Sequence, residues 1–462
     1  MRIERDFLGE RSLDDSTRHG IHTLRAVENF PLLGRPVHPE LLRAFGAVKL
    51  AALQTNDSLG CLPRDLVPAM KRACGELMAG ILVSELPVDA LQGGAGTSTN
   101  MAVNEVLANR TLELLGWPRG EYGLVSPSDH LNLHQSTNDT FPTALRVAAI
   151  WGLRELERQV LALQEAFQAK EKAFAHVVKI ARTEMQDAVL ITLGREMGAY
   201  AEALNRDRWR LAKSEERLRV VNLGGTAVGT GLAAPRQYIF KVVDELREIT
   251  GLGLARAENL VEATQNADTF VEVSGLLKAL ATTLIKICGD LRLLSSGPEA
   301  GIGELRLPPR QAGSSIMPGK VNPVIPEAVT QAALMAMAHD QALSFAISMG
   351  SLELHPFLPL VAHCLLESLD LLARGCDILR RHCIEGLEVD EARCRNTVEN
   401  CTAAATALLP LLGYETLCAL VGRAQLSACS VKDRGIAEGL FTEEQFHELT
   451  SPEAVGRLGS PL

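Results

Sequence analysis

Residues 313–327, GSSIMPGKVNPVIPE, concentrate reactive side chains in one irregular segment. Ser314, Ser315, Lys320 and Asn322 supply two hydroxyls, one cation and one amide within nine positions. Three prolines and two glycines predict a loop rather than a regular helix or strand. Long irregular loops inside compact domains are usually either disordered or functional, and this density of polar groups favours function.

Three other polar runs place Ser, Thr or Asn directly before a predicted apolar helix. The side chains concerned are Thr97, Ser136, Thr137, Asn138 and Thr183. Ordinary capping, which needs one hydroxyl, is the simpler interpretation of each run taken alone. Helix N-termini also carry partial positive charge and unpaired N–H groups, which bind carboxylates. Combined with the charge of Lys320, the runs predict a pocket for a small, doubly negative acid.

The elements that must position these side chains are helical. Apolar residues recur with helical spacing over about 64–84, 101–116, 141–178, 186–218, 236–250, 264–295, 323–350 and 354–389. Five of these segments are long and aliphatic with almost no strand signal, which predicts an all-α chain with a central bundle. Several exceed roughly 25 residues, a length that favours packing against further copies of the chain, so we expect a homo-oligomer.

The helical pattern predicts three domains. They are residues 1–138, mostly helical; 139–392, the long-helix bundle with the loop 313–323; and 393–462, small and helical. Within the first, residues 1–60 are expected to mix turns and short helical stretches.

Composition excludes several classes of protein. A net charge of −10 and a pI near 5.7 argue against nucleic acid as a partner. No uncharged apolar run reaches the ~18 residues of a membrane span, and no signal peptide is evident, so we expect a cytoplasmic protein without a membrane partner. Ten scattered cysteines without a CxxC pair predict buried free thiols rather than a metal site or disulfides.

Seven motifs in chain order carry a resemblance to a known family. They are GIHTLRAVENF, GTSTNMAVNEVLAN, QSTND, RTEMQDA, NLVEATQNADTFVEVSGLLKALA, GSSIMPGKVNP and LLGYE. Together they resemble the aspartase/fumarase superfamily over essentially the whole chain. The forms GTST and STND are more similar to aspartate ammonia-lyases than to fumarases, whereas TFPTA leans toward fumarases.

The resemblance implies an assembly and a reaction. The assembly is a homotetramer with a twenty-helix core, in which each active site is built from three subunits. The reaction is an anti-elimination across the Cα–Cβ bond of a small dicarboxylate or amino-acid substrate, giving fumarate. Removing the Cβ proton makes an aci-carboxylate with two negative charges on one group, so catalysis must supply donors aimed at that charge.

The resemblance also implies a role for each site residue. The base is the first Ser of GSS, here Ser314, which neighbouring N–H groups and Lys320 must activate. Donors to the aci-carboxylate are Thr97, Ser136, Thr137 and Ser315. The α-carboxylate is assigned to Lys320, Asn322 and Thr183, and the leaving amine to Asn138. The chemistry is charge stabilisation alone, so neither a cofactor nor a metal is expected.

Glu184 departs from the family pattern, which has His or Gln after RT. In His-bearing members this His pairs with the Glu that is Glu327 here, so we count both carboxylates with the catalytic residues. Two carboxylates close together cannot both ionise cheaply, so one would hold a proton or recruit a cation. Glu184 either replaces Gln at similar size or selects a cationic or substituted amine on the substrate. Loss of activity is the third alternative.

His134 stands where Ser is common before QSTND. We expect a packed or hydrogen-bonded His, with supply of the missing imidazole as the alternative.

The sequence therefore predicts a carbon–nitrogen lyase that eliminates ammonia or an amine from L-aspartate or an aspartate derivative. A fumarase-like hydro-lyase and a catalytically silent helical scaffold are the alternatives. The absence of His at position 184 argues against the first, and retention of Ser314 and Lys320 argues against the second. The leaving group, the pathway and any allosteric metal or effector stay open.

Overall fold

The computed structural model describes residues 1–459, and helices make up most of this part of the chain. The α-helices are α1 (Ile21–Asn29), α2 (Pro39–Ser58), α3 (Val67–Met78), α4 (Thr97–Leu114), α5 (Thr137–Ala173), α6 (Leu193–Leu218), α7 (Arg236–Thr250), α8 (Leu260–Gln265), α9 (Asp268–Leu294), α10 (Val324–Ser348), α11 (Leu358–Leu379), α12 (Glu391–Asn400), α13 (Leu409–Leu412), α14 (Tyr414–Leu426), α15 (Val431–Ala437), α16 (Glu443–Leu449) and α17 (Pro452–Gly456). The predicted helical class is confirmed.

The strands are short and form two-stranded sheets. They are β1 (Arg2–Asp6), β2 (Gly9–Leu13), β3 (Val178–Thr183), β4 (Gln186–Thr192), β5 (Val220–Val221), β6 (Ala255–Arg256), β7 (Leu305–Arg306) and β8 (Glu388–Val389). The pairs β1–β2, β3–β4 and β7–β8 are antiparallel, and β5–β6 is parallel. The expectation for residues 1–60 was wrong in two respects, because this region contains a hairpin and the 20-residue helix α2.

The hairpin β3–β4 corrects a second expectation. The predicted helices over 141–178 and 186–218 end and begin elsewhere, at Ala173 and Leu193. Thr183 therefore lies at the end of a strand rather than at a helix start. The reason is local, since VVKI and AVLIT are rich in β-branched residues that favour strands.

Contacts divide the chain into two compact units. The first comprises residues 1–157, 209–281 and 334–372; the second comprises 158–208, 282–333 and the part from 373 onward. The five long helices α5, α6, α9, α10 and α11 contribute residues to both units, in agreement with the predicted long helices. The division into three domains stays a prediction.

In the first unit, α2 is buried along most of its length between α3 and α7. Small residues allow this, since a Cβ on Gly46 would lie 2.5 Å from the backbone nitrogen of Met78. Phe45 and Val48 are fully buried on the same helix.

In the second unit, the C-terminal helices enclose an apolar cluster that includes Ile180 of β3. Its other buried members are Val398, Ala404, Ala405, Leu408, Leu417, Leu420, Ala424, Val431, Phe441 and Phe446. The hairpin β3–β4 is thus packed against the C-terminal segment through α12 and the 3₁₀-helix Thr402–Leu408.

Two further sequence predictions concern membranes and thiols. Across residues 1–459, every helix is too short or too polar to cross a membrane. All ten cysteines are free thiols, but the predicted burial holds for only six of them: Cys61 and Cys418 are exposed, and Cys401 and Cys429 are half-buried.

Candidate active site

The glycine-rich run before α4 allows two helix starts to approach each other. Gly96 has φ +93°, and a Cβ there would lie 2.2 Å from the ring of Phe141 in α5. Only glycine combines this backbone conformation with so close a contact. The N-termini of α4 and α5 are therefore neighbours in the first unit.

Asn100 links the two helix starts. Its Nδ2 lies 3.2 Å from Thr137 Oγ1 and 3.2 Å from Asn132 Oδ1. Thr97, one turn earlier on α4, is exposed and donates its hydroxyl to Gly94 O at 2.8 Å. The structure thus brings the starts of α4 and α5 together in a group that we call the helix-start cluster: Thr97, Asn100, Ser136, Thr137 and Asn138.

Ser136 caps α5, as the simpler interpretation predicted. Its Oγ accepts from the N–H of Asn138 at 3.3 Å, while Asp139 Oδ1 accepts from the N–H of Ser136 at 2.9 Å. Asp139 thus reaches back to the N-cap N–H as in a capping box, while the Ser136 hydroxyl bonds the second helical residue rather than the third. The cap uses the oxygen of Ser136 and leaves its hydroxyl hydrogen available to a ligand.

The glycine-rich loop at 222–235 attaches to the same helix start. Asn138 Nδ2 donates to Ala227 O at 2.7 Å, which leaves its Oδ1 to accept from a ligand. Asp139 is completely buried and accepts the N–H groups of Gly224 and Thr226, each at 3.1 Å. Burial raises the pKa of Asp139 to about 6.

The predicted catalytic base lies in the irregular loop 313–323. Ser314 Oγ accepts two backbone N–H groups, from Ile316 and Met317, each at 3.1 Å. Hydrogen bonds donated to an oxygen favour its charged form, so this geometry stabilises an alkoxide. Ser315 and Lys320 are exposed on the same loop.

Two bonds close this loop at its neck. The N–H of Gly313 donates to Lys320 O at 2.8 Å, and Asn322 Nδ2 donates to Gly313 O at 2.9 Å. A Cβ on Gly313 would lie 2.6 Å from Lys320 O, so glycine is required there. Helix α10 begins at Val324 directly after Pro323, as predicted.

Glu327 lies in the first turn of α10, where its Oε1 is 3.8 Å from Arg292 Nη2. Its charge is thus already faced by a guanidinium. The predicted pairing of Glu327 with Glu184 stays a prediction.

Glu184 and Met185 form the two-residue tip of the hairpin β3–β4, between the paired residues Thr183 and Gln186. Both tip residues have left-handed φ, +52° and +63°, and both are exposed. Such conformations cost non-glycine residues roughly 1–3 kcal/mol each and cluster at functional sites. The tip is therefore a strained turn that presents a carboxylate and a thioether to its surroundings.

A buried ion network fixes the base of the hairpin. Lys179 Nζ lies 2.9 Å from Glu196 and 3.0 Å from Glu304, and Arg182 reaches Glu304 at 2.8 Å. Lys179 and Glu304 are almost completely buried. This network was not predicted, because Glu304 is 122 positions from Arg182 in sequence.

His134 is a packed, hydrogen-bonded residue, as expected. Its Nδ1 lies 2.7 Å from Asn56 Oδ1, and its ring contacts that of Tyr238 with centroids 5.5 Å apart. Burial lowers the pKa of His134, which favours the neutral imidazole.

Sequence reasoning missed Lys49 on α2. It is 1% exposed and donates to Asn132 Oδ1 and Gln135 Oε1, each at 2.9 Å. The available signal was a single charge within the apolar run AFGAVKLAALQ. As for metals, no three His, Cys, Asp or Glu side chains converge on a metal-binding point within residues 1–459.

The class of protein follows from comparison of the whole chain. The profile of a family described as Lyase matches residues 9–338. This chain therefore belongs to that lyase family, within the aspartase/fumarase superfamily, and is an enzyme of the lyase class.

Individual relatives match nearly the full length. The aspartate ammonia-lyase of Pseudomonas aeruginosa is 46% identical over 455 residues, covering 98% of this chain and 96% of its own. That of Bacillus sp is 42% identical over 452 residues, covering 98% and 97%. Among solved structures, the fumarate lyase:delta crystallin of Brucella melitensis in native form aligns with a TM-score of 0.92 at 43% identity, covering 98% and 100%.

Proposed function

We propose that this chain is an aspartate ammonia-lyase, which eliminates ammonia from L-aspartate to give fumarate. Near-full-length identity of 46% to an aspartate ammonia-lyase supports the substrate class. The observation that carries the mechanism is the pair of N–H groups aimed at Ser314 Oγ. An unassisted serine hydroxyl is a poor base, and these two donors stabilise the alkoxide that the reaction needs.

In the proposed reaction, Ser314 first loses its hydroxyl proton to solvent, and the resulting alkoxide Oγ takes the proton from Cβ of aspartate. The electron pair of that C–H bond passes into the adjacent carboxylate and forms the aci-carboxylate. It then returns to form the Cα–Cβ double bond while the C–N bond breaks and ammonia leaves. Lys320 and Asn322, at the neck of the same loop, bind the α-carboxylate together with Thr183.

The helix-start cluster supplies donors for the aci-carboxylate. Thr97, Ser136 and Thr137 place hydroxyls at two neighbouring helix N-termini, where dipoles favour negative charge. The Thr97 hydroxyl, which donates to Gly94 O here, must rotate towards the intermediate to donate to it. Ser315 adds a fourth hydroxyl. Each donor aimed at the developing charge is worth roughly 3 kcal/mol of transition-state stabilisation in comparable sites. Asn138 Oδ1, whose amide nitrogen is held by Ala227 O, accepts from the leaving amine.

The active site is assembled from three subunits of a homotetramer. Support comes from α10, which has no Lys, Arg, Asp or Glu between Glu327 and Asp340. Leu334, Met335 and Phe345 on this helix are 52%, 49% and 61% exposed. Large exposed apolar side chains grouped on one helix mark an interaction surface, and a copy of the chain covers it. Light scattering should give a tetramer, and Phe345→Glu should give smaller, inactive species; a fully active monomer would contradict the assembly.

The experiment that tests the activity follows ultraviolet absorbance of fumarate. Purified protein is mixed with L-aspartate, and separately with L-malate, N-substituted aspartates or buffer alone. We expect fumarate from aspartate and none from malate. Fumarate from malate alone would support a hydro-lyase instead, and no fumarate from any substrate would support a silent scaffold.

Glu184 favours a second candidate, elimination of a substituted amine from an aspartate derivative. A carboxylate at an exposed, strained tip suits a substrate with an additional cationic group. The test measures kcat/KM of the wild type and of Glu184→Gln with two substrates: aspartate and an aspartate derivative that carries a second amine. If Glu184→Gln lowers kcat/KM only for the derivative, the second candidate is supported. If the variant changes kcat/KM by the same factor for both substrates, the second candidate is rejected.

A further inference from the structure

Lys49 is a buried cation that none of the steps above uses. It lies in the middle of α2 and is 1% exposed. Its ammonium donates to two side-chain carbonyl oxygens, Asn132 Oδ1 and Gln135 Oε1, each at 2.9 Å. A lysine is rarely buried without a carboxylate in contact, because desolvation disfavours its charge.

The two acceptors belong to the segment that leads into α5. Asn132 Oδ1 also accepts from Asn100 Nδ2, and Asn100 Nδ2 lies 3.2 Å from Thr137 Oγ1. Gln135 directly precedes Ser136, and its Nε2 donates to Leu131 O at 3.1 Å. Lys49 is therefore joined by a continuous series of hydrogen bonds to the helix-start cluster.

The charged and titratable groups around Lys49 come from several elements. The Asp139 carboxylate on α5 attracts the Lys49 ammonium, but both of its oxygens accept hydrogen bonds from backbone N–H groups. Cys74 on α3 also lies close enough to interact with Lys49. Tyr238 on α7 interacts with Asp139, and the ring of His134 contacts that of Tyr238; burial raises the pKa of Tyr238. With so little compensation, burial lowers the pKa of Lys49 to about 7.

We propose that Lys49 is a positioning residue of the reaction: its ammonium holds Asn132 and Gln135, and places a positive charge behind the helix-start cluster. This inference rests on the proposed function, because it assumes that a dianionic intermediate binds at that cluster. Loss of the proton from Lys49 removes the charge while leaving a neutral amine in place. The charge of Lys49 is lost as pH rises through its pKa, which burial lowers, so activity should decline on the alkaline side with Lys49 as the group responsible.

The first variant is Lys49→Met, which keeps the length and buries no charge. We expect kcat/KM for aspartate to fall about a hundredfold at pH 6, the loss typical of a site displaced by about 1 Å. We also expect the alkaline decline that belongs to Lys49 to disappear from its pH profile. A purely structural role would lower the melting temperature and leave the shape of the profile unchanged.

The second variant, Asn132→Asp, tests the role of Lys49 even if Lys49→Met folds poorly. It keeps the oxygen that Lys49 and Asn100 contact and loses only a long bond, 3.3 Å, from Asn132 Nδ2 to Gln135 O. A carboxylate in contact with Lys49 should move the alkaline decline upward by about one pH unit or more. Lys71→Met is the control, since Lys71 is a surface lysine paired with Asp57 and should leave the profile unchanged.

The pH profiles distinguish a failure of the proposed function from a failure of the role proposed for Lys49. Wild-type protein that makes no fumarate at any pH overturns the proposed function and this inference together. Active wild-type protein whose pH profile is shared by Asn132→Asp overturns the role of Lys49 alone. A profile that shifts upward in Asn132→Asp but not in Lys71→Met supports it.

Discussion

The side-chain amide of Asn322 donates to the backbone carbonyl of Gly313 at 2.9 Å, and so joins the two ends of the loop that carries Ser314. A second bond, from the N–H of Gly313 to Lys320 O at 2.8 Å, closes the same neck. The loop is thus fixed at its base while its outer residues are exposed. The position of Ser314 relative to Lys320 is set by these two bonds.

Gly313→Ala should therefore impair catalysis without unfolding the chain. The added Cβ would lie 2.6 Å from Lys320 O and 3.1 Å from Asn322 N, which forces the neck open. We expect kcat/KM for aspartate to fall about a hundredfold, because a shift of about 1 Å costs that much. Gly319→Ala is the control: it has nothing within 4 Å of its Cβ, so its φ of +77° alone is strained. Equal activity of the two variants would contradict the role of the neck.

Ser314→Ala should remove the base. We expect kcat to fall about a thousandfold, within the range that positioned proton transfer contributes. The fold should persist, because the two N–H groups released by the change lie on an exposed segment and can bond to water. Ser427→Ala is the matched control, since Ser427 is an exposed serine whose hydroxyl bonds only the local carbonyl of Arg423. Full activity of Ser314→Ala would remove the assignment of the base.

The features predictable from sequence are those with local causes. The loop 313–323 and the start of α10 follow from Pro and Gly, whose effects act over a few residues. The long helices follow from apolar periodicity alone. The helical spacing over 186–218 takes in strand β4, because this short strand directly precedes a strongly periodic segment.

What could not be predicted depends on contacts between distant parts of the chain. Lys49 reaches Asn132 across 83 positions, and Arg182 reaches Glu304 across 122. No spacing rule within one segment encodes such pairs. For Lys49, the sequence shows only a charged residue inside an apolar run. This pattern indicates that the charge needs a buried partner, but it does not identify the partner.

Met185→Gly should stabilise the hairpin. Met185 occupies the second position of a two-residue turn with φ +63°, where glycine is preferred. Removing a left-handed non-glycine residue should raise the free energy of unfolding by about 1 kcal/mol. Glu202 is solvent-exposed and lies away from the ends of α6. Glu202→Gly should lower the free energy of unfolding by about 1 kcal/mol, because glycine weakens helices. Chemical unfolding at equal protein concentration measures both, and a loss of stability in Met185→Gly would show that the turn is not strained.

Glu304→Gln should be the most destabilising of these changes, because it removes the buried anion that Lys179 and Arg182 share. Glu304 is 1% exposed and Lys179 is 2% exposed, so water cannot replace the lost charge. Breaking a buried pair on one side costs about 3 kcal/mol or more. Asp187→Asn is the control: Asp187 is exposed, lies 3.8 Å from Arg182, and should change the free energy of unfolding by less than about 0.5 kcal/mol. Chemical unfolding should give a clearly lower free energy of unfolding for Glu304→Gln than for Asp187→Asn. Since the network holds strand β3, which ends at Thr183, we also expect KM for aspartate to rise in Glu304→Gln. An unchanged KM would show that the network does not act on the site.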